Sequence, residues 1–246
     1  MAQQTALPKR RSDSKVEEVE IESSVDRAYE QIREMVTRFR LKPDERLNES
    51  DLAKQLGLSR TPLREALNRL SMEGFLNARA GKGFFCRSLD PQEIYELYQL
   101  RAAVECGGVQ IAAERGDPAE VEKLLIFLRE TADCEGASTS TLVGYDEQFH
   151  EGIMRLTGNK EMLKTLRNIN DRIRCVRWID MDRRGRKSTQ DEHLEIAEAL
   201  KKRDVERCVA VLQKHIGRRL EEITSSIREA YGLLYMPKSI RSEHPF

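Results

Sequence analysis

The chain has 246 residues, 34% of them charged and 6% aromatic, with 42 basic and 42 acidic side chains. That length can bury a core in one large or two modest domains, and the zero formal net charge excludes binding to a polyanion through overall charge. No apolar run approaches a membrane-spanning length and the first residues lack an apolar signal core, so a cytoplasmic protein without membrane contact is expected.

In chain order, residues 1–22 are polar, carry Lys9-Arg10-Arg11 and read as a disordered tail. Ser23 or Ser24 then caps a helix with Val25, Ala28, Ile32, Met35, Val36 and Phe39 inward. Lys42-Pro43-Asp44 is a turn. A short helix follows, with Ser50 as its expected N-cap, Leu52, Ala53 and Leu56 on its inner face, and Gly57 able to adopt the positive φ that ends it. Ser59-Arg60-Thr61-Pro62 starts a third helix, because proline loses no intrahelical partner in a first turn. Leu63, Ala66, Leu67 and Leu70 continue it at the helical period, and Gly74 closes it. Two β-prone runs, 75–79 and 83–87, join through Ala80-Gly81-Lys82 into a hairpin.

This layout predicts a winged helix-turn-helix over residues 23–88, and its chemistry suits double-stranded DNA. A helix fits the major groove with its leading turn toward bases and phosphates. Ser59, Arg60, Thr61 and Arg64 occupy that turn. Arginine can bond guanine O6 and N7 together, while serine and threonine suit phosphate. Lys82 sits on a glycine-bearing tip that permits close backbone approach. Between Arg46 and Arg87 there are eight Lys or Arg against four Asp or Glu. Residues 1–89 carry 17 basic and 14 acidic side chains and the remainder 25 and 28, so the basic excess travels with this segment.

Asp90-Pro91 opens the second part, with Asp as N-cap and Pro in the first turn. Periodicity and breakers predict helices at 91–115, 118–134, 140–157, 160–181, 188–202 and 204–230, an all-α bundle of six or seven helices over 90–230. Residues 231–246 read as a tail. The protein is thus expected to be mainly α. Cys86, Cys106, Cys134, Cys175 and Cys208 are far apart, odd in number and without CxxC spacing, as reduced thiols would be, four of them in helical segments.

Several polar residues interrupt the apolar stripes of these helices. Arg101 and Glu105 fall on the inner face of 91–115. Asp146 and His150 share the inner face of 140–157 at i and i+4. His193 and His215 point inward from two later helices. A single inward histidine is an ordinary core residue, but three with a carboxylate each need a partner. Brought together, Asp146, His150, His193 and His215 form a ligand set for zinc first, and for manganese or nickel as alternatives. On spacing alone, Arg101 and Glu105 read as a buried structural ion pair.

The segment ESDLAKQLGLSRTPLREALNRLSMEGFL and the GKGFF that follows resemble the GntR family of bacterial transcription regulators. That resemblance implies that Ser50, Ser59, Arg60, Thr61, Arg64 and Gly81 contact an operator. The position before Gly81 is Ala80, which leaves only backbone to touch DNA there. The pieces YQLRAAVE, YDEQFH, DEHLEIAEAL and VLQKHI resemble the FCD effector domain of the FadR branch. The family's metal ligands then fall on Asp146, His150, His193 and His215, and its effector-binding arginine on Arg101. Asn170 and Arg174 are candidate further effector contacts.

The resulting expectation is a homodimeric transcription regulator, a repressor, that binds operator DNA and responds to a small carboxylate effector beside the metal. The effector would act through helix 91–115, which directly follows the winged segment. The alternatives are a metal-dependent hydrolase using the Asp/His site and a metal-stabilised DNA-binding protein without an effector.

Overall fold

The computed structural model describes residues 23–236, apart from Glu135 and Gly185. The tail expected at 1–22 and the part of the C-terminal tail from 237 onward lie outside the described residues. Ser23 accepts a hydrogen bond from the Asp26 N–H and starts α1 (Ser24–Thr37), which buries Ala28, Tyr29, Ile32, Met35 and Val36. Phe39 lies beyond the helix end with φ 51° and packs against the core of the second part rather than the first. The Lys42–Asp44 turn closes with Glu45 N–H donating to Lys42 O at 3.0 Å.

Helix α2 (Glu49–Leu56) begins one residue before Ser50. Asn48 is its N-cap, accepting from Ser50 N–H and Asp51 N–H, which corrects the expected cap at Ser50. The side-chain oxygen of Asn48 reaches the free N–H groups of the first turn, and Ser50 becomes a residue inside that turn. Gly57 takes the left-handed cap with φ 63°. Helix α3 (Arg60–Met72) buries Leu63, Ala66, Leu67 and Leu70, and strands β1 (Leu76–Arg79) and β2 (Gly83–Cys86) pair antiparallel with Leu76 opposite Cys86.

Seven helices follow: α4 (Pro91–Arg115), α5 (Pro118–Glu130), α6 (Thr139–Leu156), α7 (Lys160–Arg184), α8 (Lys187–Lys202), α9 (Val205–Ile216) and α10 (Leu220–Tyr235). Asp90, Asp117, Ser138 and Asp204 each cap one of them with a side-chain oxygen. The single helix expected at 204–230 is two. Gly217 ends α9, and the Arg218 guanidinium donates to His215 O at 3.3 Å and Gly217 O at 2.9 Å, satisfying carbonyls that would otherwise demand a further turn. Residues 231–235, expected as tail, extend α10. Helix α5 stops at Glu130, so Cys134 lies in a loop; all five cysteines are free thiols.

Two apolar cores result. One runs from Ala28 to Cys86 within the winged segment, the other from Leu89 to Leu234 within the bundle. Helix α4 is the axis of the bundle, packed against α6, α7, α8, α9 and α10. It therefore buries residues on several sides, Arg101 and Glu105 among them.

The winged segment sits on α7 and α10 through polar contacts. Arg33 Nε donates to Asp171 Oδ2 at 2.9 Å, Asn168 Nδ2 donates to Glu73 O at 3.1 Å, and Arg87 donates to Arg172 O. Arg172 in turn donates to Glu93 of α4 at 2.6 Å. From α10, the Tyr231 hydroxyl accepts from Leu89 N–H at 3.4 Å, and Lys42 lies 4.8 Å from the centre of the Tyr235 ring.

Gly74 turns the chain out of α3 at φ 81°, and a Cβ there would meet the Arg172 guanidinium at 2.8 Å. Gly74→Ala should cost about 1–2 kcal/mol from the left-handed backbone alone and also displace Arg172 from the junction. Urea denaturation of the two proteins checks this; an unchanged midpoint would remove Gly74 from any role in seating the two parts.

Candidate metal centre and nucleic-acid interface

Helix α6 carries Asp146 and His150 one turn apart on its buried face; α8 and the last turn of α9 bring in His193 and His215. The structure places all four together, their ligand atoms lying within 4.8 Å of one another. His215 Nε2 is 3.2 Å from His150 Nε2 and 3.1 Å from His193 Nε2, and His193 Nε2 is 3.3 Å from Asp146 Oδ1.

The outer atoms of the rings decide what these inner atoms can be. His150 Nδ1 donates to Glu105 Oε2 at 2.5 Å, and His215 Nδ1 donates to Glu192 Oε2 at 2.8 Å. Both protons therefore sit on Nδ1, and the two Nε2 lone pairs face each other with no hydrogen between them. Such an arrangement fits a cation. Zinc–nitrogen bonds of about 2.0–2.1 Å at a near-tetrahedral angle set two nitrogens about 3.3 Å apart. The carboxylates behind His150 and His215 are the partners that fix tautomer and ring direction in metal sites. Phe149 stacks on His193 at 4.0 Å between ring centres and holds the third ring.

The electrostatics agree with a ligand set. Burial pushes the His193 pKa down to about 3 and lowers that of His150 as well, so both are neutral. Burial alone would raise Glu105, but Arg101 and His150 outweigh it and hold it near 2. Asp146 is likewise held well below the usual carboxylate range, against burial, chiefly by Arg177. Arg177 donates to Asp146 and, at 3.1 Å, to Glu147. Glu105 thus bridges the two polar features of the core, since its other oxygen accepts from Arg101 Nε at 2.6 Å.

Beside this cluster lies a cavity of about 250 Å³ whose walls include Tyr98, Arg101, Asp146, Arg177, His215 and Arg218. Arg101 Nη2 and the Tyr98 hydroxyl are buried without a hydrogen-bond partner. Asn170 and Arg174 do not line this cavity. Asn170 is buried in α7 with both amide atoms unpartnered, and Arg174 donates to Glu147 at 3.1 Å. The sequence marks Tyr98 only as an inward residue of the 91–115 stripe and assigns no role to Arg177 or Glu192. Glu192 adjoins His193 in the DEH triplet, but nothing in the sequence signals its bond to His215; the other two depend wholly on tertiary placement.

In the winged segment, Ser50, Arg60, Arg64 and Lys82 line one cleft between α2, α3 and the hairpin, together with Arg46 and Asn48. Arg60 donates to Ser50 Oγ at 3.3 Å, and Arg64 pairs with Glu49 at 3.4 Å while its side chain stays 64% exposed. Ser59, Thr61 and Gly81 are exposed at the start of α3 and at the hairpin tip, where Gly81 has φ 68°. The cations thus converge on a single exposed face.

The family model described as bacterial regulatory proteins, gntR family, matches residues 24–86, and the FCD domain model matches residues 96–218. The chain is similar to the Nta operon transcriptional regulator of Aminobacter aminovorans, 40% identical over 205 residues that cover 83% of this chain and 97% of that one. It is also similar to the HTH-type transcriptional repressor GlaR of Escherichia coli strain K12, at 27% identity over 76% of this chain and 90% of that one. Among solved structures, E. coli McbR/YncC superposes with a TM-score of 0.61 at 21% identity, over 87% of this chain and 97% of that one, a likeness of fold. These curated relatives are transcription regulators rather than enzymes.

The buried histidines set a pH dependence for the metal-free protein. A histidine held below its unfolded pKa of about 6.5 binds fewer protons folded than unfolded, so its contribution is complete above that pH. Stability should therefore fall as pH drops from about 6.5 toward 3, the value His193 reaches. Denaturation series at stepped pH, with and without added zinc, test this. Zinc should raise stability most at neutral pH, and a flat profile between pH 6.5 and 4.5 would mean that the rings are not buried neutral.

Proposed function

Because the chain belongs to the gntR family of bacterial regulatory proteins and carries an FCD domain, we propose that this DNA-binding transcription regulator is a homodimeric repressor controlled by a small carboxylic acid bound beside a zinc ion. The observation that carries the reading is Arg101 Nη2, a buried donor without a partner on the wall of a cavity that also exposes Asp146 and His215. A guanidinium already anchored through Nε to Glu105 offers its remaining edge to a carboxylate in fixed geometry. Held by Asp146, His150, His193 and His215, zinc, or else manganese or nickel, supplies an electrophilic anchor for a carboxylate oxygen. At about 250 Å³ the cavity is smaller than the ~300–1,000 Å³ of drug-sized sites, which favours an acid of a few carbon atoms.

On the DNA side, Arg60 and Arg64 read base edges from the leading turn of α3, while Ser50, Ser59, Thr61, Gly81 and Lys82 hold phosphates. A dimer is proposed because helix-turn-helix readers address two half-sites related by two-fold symmetry, and repression follows the name of GlaR. Asn170 and Arg174 remain proposed effector contacts only in a form of the bundle that opens α7. Helix α7 also supplies the route to the reader. It holds Asp146 and Glu147 through Arg177 and Arg174, and it seats the winged segment through Asn168, Asp171 and Arg172. Helix 91–115, expected to transmit the signal alone, shares that task.

Two observations disfavour the other readings. Glu105, the buried acid that a hydrolase would need as a general base, has both oxygens engaged, by Arg101 and His150. A metal serving structure alone would leave the unpartnered Arg101 donor unexplained.

Arg60→Ala should lose about 1–3 kcal/mol of specific operator binding with the fold intact. Gel-shift titrations against specific and random duplexes measure it, and equal loss on both would assign Arg60 to phosphate instead. Arg101→Ala should still bind operator but no longer respond to the acid. Adding candidate acids to protein–operator complexes of parent and mutant decides between this role and a structural ion pair.

A further inference from the structure

The free edge of the hairpin has a neighbour. Arg46 bridges Phe85 of β2 in antiparallel fashion, with Leu47 N–H donating to Phe84 O at 2.9 Å and Cys86 N–H to Glu45 O at 2.8 Å. On the other edge of β2, Asn77 of β1 stands opposite Phe85, and Arg79 opposite Gly83. Directly opposed residues share a face of a sheet, as do residues two apart along a strand. Arg46, Arg79 and Phe85 therefore lie on one face. Phe84 and Cys86 point the other way, into the core of the winged segment.

The outer face is open and cationic. Arg46 and Arg79 are exposed and Phe85 is half-buried between them. The Arg79 guanidinium lies 4.2 Å from the centre of the Phe85 ring, a stacking that holds its direction without removing its charge. Acids that could neutralise Arg46 are engaged elsewhere. Glu45 accepts from Lys42 N–H at 2.7 Å, and Glu49 pairs with Arg64 at 3.4 Å. Among the described residues neither Arg46 nor Arg79 has an ion pair. Arg46 also lines the cleft that holds Arg60, Arg64 and Lys82, so this face continues that cleft around the edge of β2.

We propose that this outer face is a second DNA contact, in which Arg46 and Arg79 hold phosphates of the duplex beyond the bases that α3 addresses. With α3 in the major groove, a surface flanking its cleft meets the backbone that borders the groove. The contact adds affinity for any duplex and no preference among sequences. It rests on the winged segment binding DNA and is independent of how Arg60 and Arg64 divide between bases and phosphates.

The test is binding of the full-length protein to random-sequence duplex DNA, and to a duplex that the parent enriches from it, over a series of salt concentrations. Arg46→Gln/Arg79→Gln keeps most of each side-chain stem and removes both charges. It should lose the same factor of affinity on both duplexes, with a log–log salt slope shallower than the parent's by about 2. Arg46→Lys/Arg79→Lys should keep the parent's slope, because a point charge suffices for a phosphate. An unchanged slope in the Gln variant overturns the proposal, and so does a loss confined to the enriched duplex or a Lys variant that behaves like the Gln one. Should the double variant fold poorly, Arg46→Gln alone carries the test, with a slope shallower by about 1. A parent that binds neither duplex would overturn DNA binding by the winged segment itself, a result distinct from binding that ignores Arg46 and Arg79.

Discussion

Two imidazole nitrogens that carry no proton meet a third imidazole and a carboxylate at the centre of the bundle, and the polar architecture around them follows from that. The protons of His150 and His215 are drawn outward by Glu105 and Glu192, which leaves their inner nitrogens as bare acceptors beside the Asp146 carboxylate. In an apolar core such a group of lone pairs is costly unless a cation joins it. The outward carboxylates carry the requirement further: Glu105 is itself buried, and Arg101 compensates it. Arg177 does the same for Asp146. Glu105 is balanced from within its own helix and Asp146 from α7, so the site reaches into α4, α7 and α8 although the four candidate ligands lie on α6, α8 and α9.

Helix α7 has two working stripes because of this. Residues 170, 174 and 177 recur at the helical period, and two of them hold Glu147 and Asp146. Residues 168, 171 and 172 form the neighbouring stripe and grip the winged segment. A rigid helix that bonds a candidate metal ligand on one side and the winged segment on the other cannot shift at one end alone. The junction combines hydrogen bonds and ion pairs with the packing of Phe39 against the bundle core, whereas each core is apolar throughout.

Much of this was legible in the sequence, and the reasons are local. Caps such as Asp90-Pro91 and Asp117-Pro118 and glycines such as Gly57 act within a turn of chain, so they placed helix starts and stops closely. Where two local signals competed, the reading failed. Asn48 and Ser50 are both good caps, and the choice between them was settled by which oxygen reaches two free N–H groups. The break at Gly217 was missed because the apolar period runs on across it, and only the Arg218 guanidinium folding back on the last carbonyls shows why α9 ends there. The four candidate ligands were readable because inward polar residues contradict an apolar stripe. Arg177 and Glu192 carry no such mark, since their partners come from other helices, and Tyr98 sits unremarkably on the apolar stripe of α4.

The three elements that tie the DNA reader to the bundle also meet at the cavity. Helix α4 leads out of the winged segment and contributes Arg101; α7 seats that segment and contributes Arg177; α10 touches it through Tyr235, and Arg218 lies on the loop that leads into α10. Each of these arginines is already committed to an acid, Glu105, Asp146 or Asp180 respectively. An anion entering the cavity would compete with those acids for three guanidiniums at once, two on elements that hold the reader and one on the loop that leads into the third. A ligand shifts a conformational equilibrium only by its difference in affinity between the two states, and here that difference arises wherever the three elements separate. On the proposed reading, an acid small enough to touch all three arginines would favour the arrangement that keeps them together, and the winged segment would be carried with them.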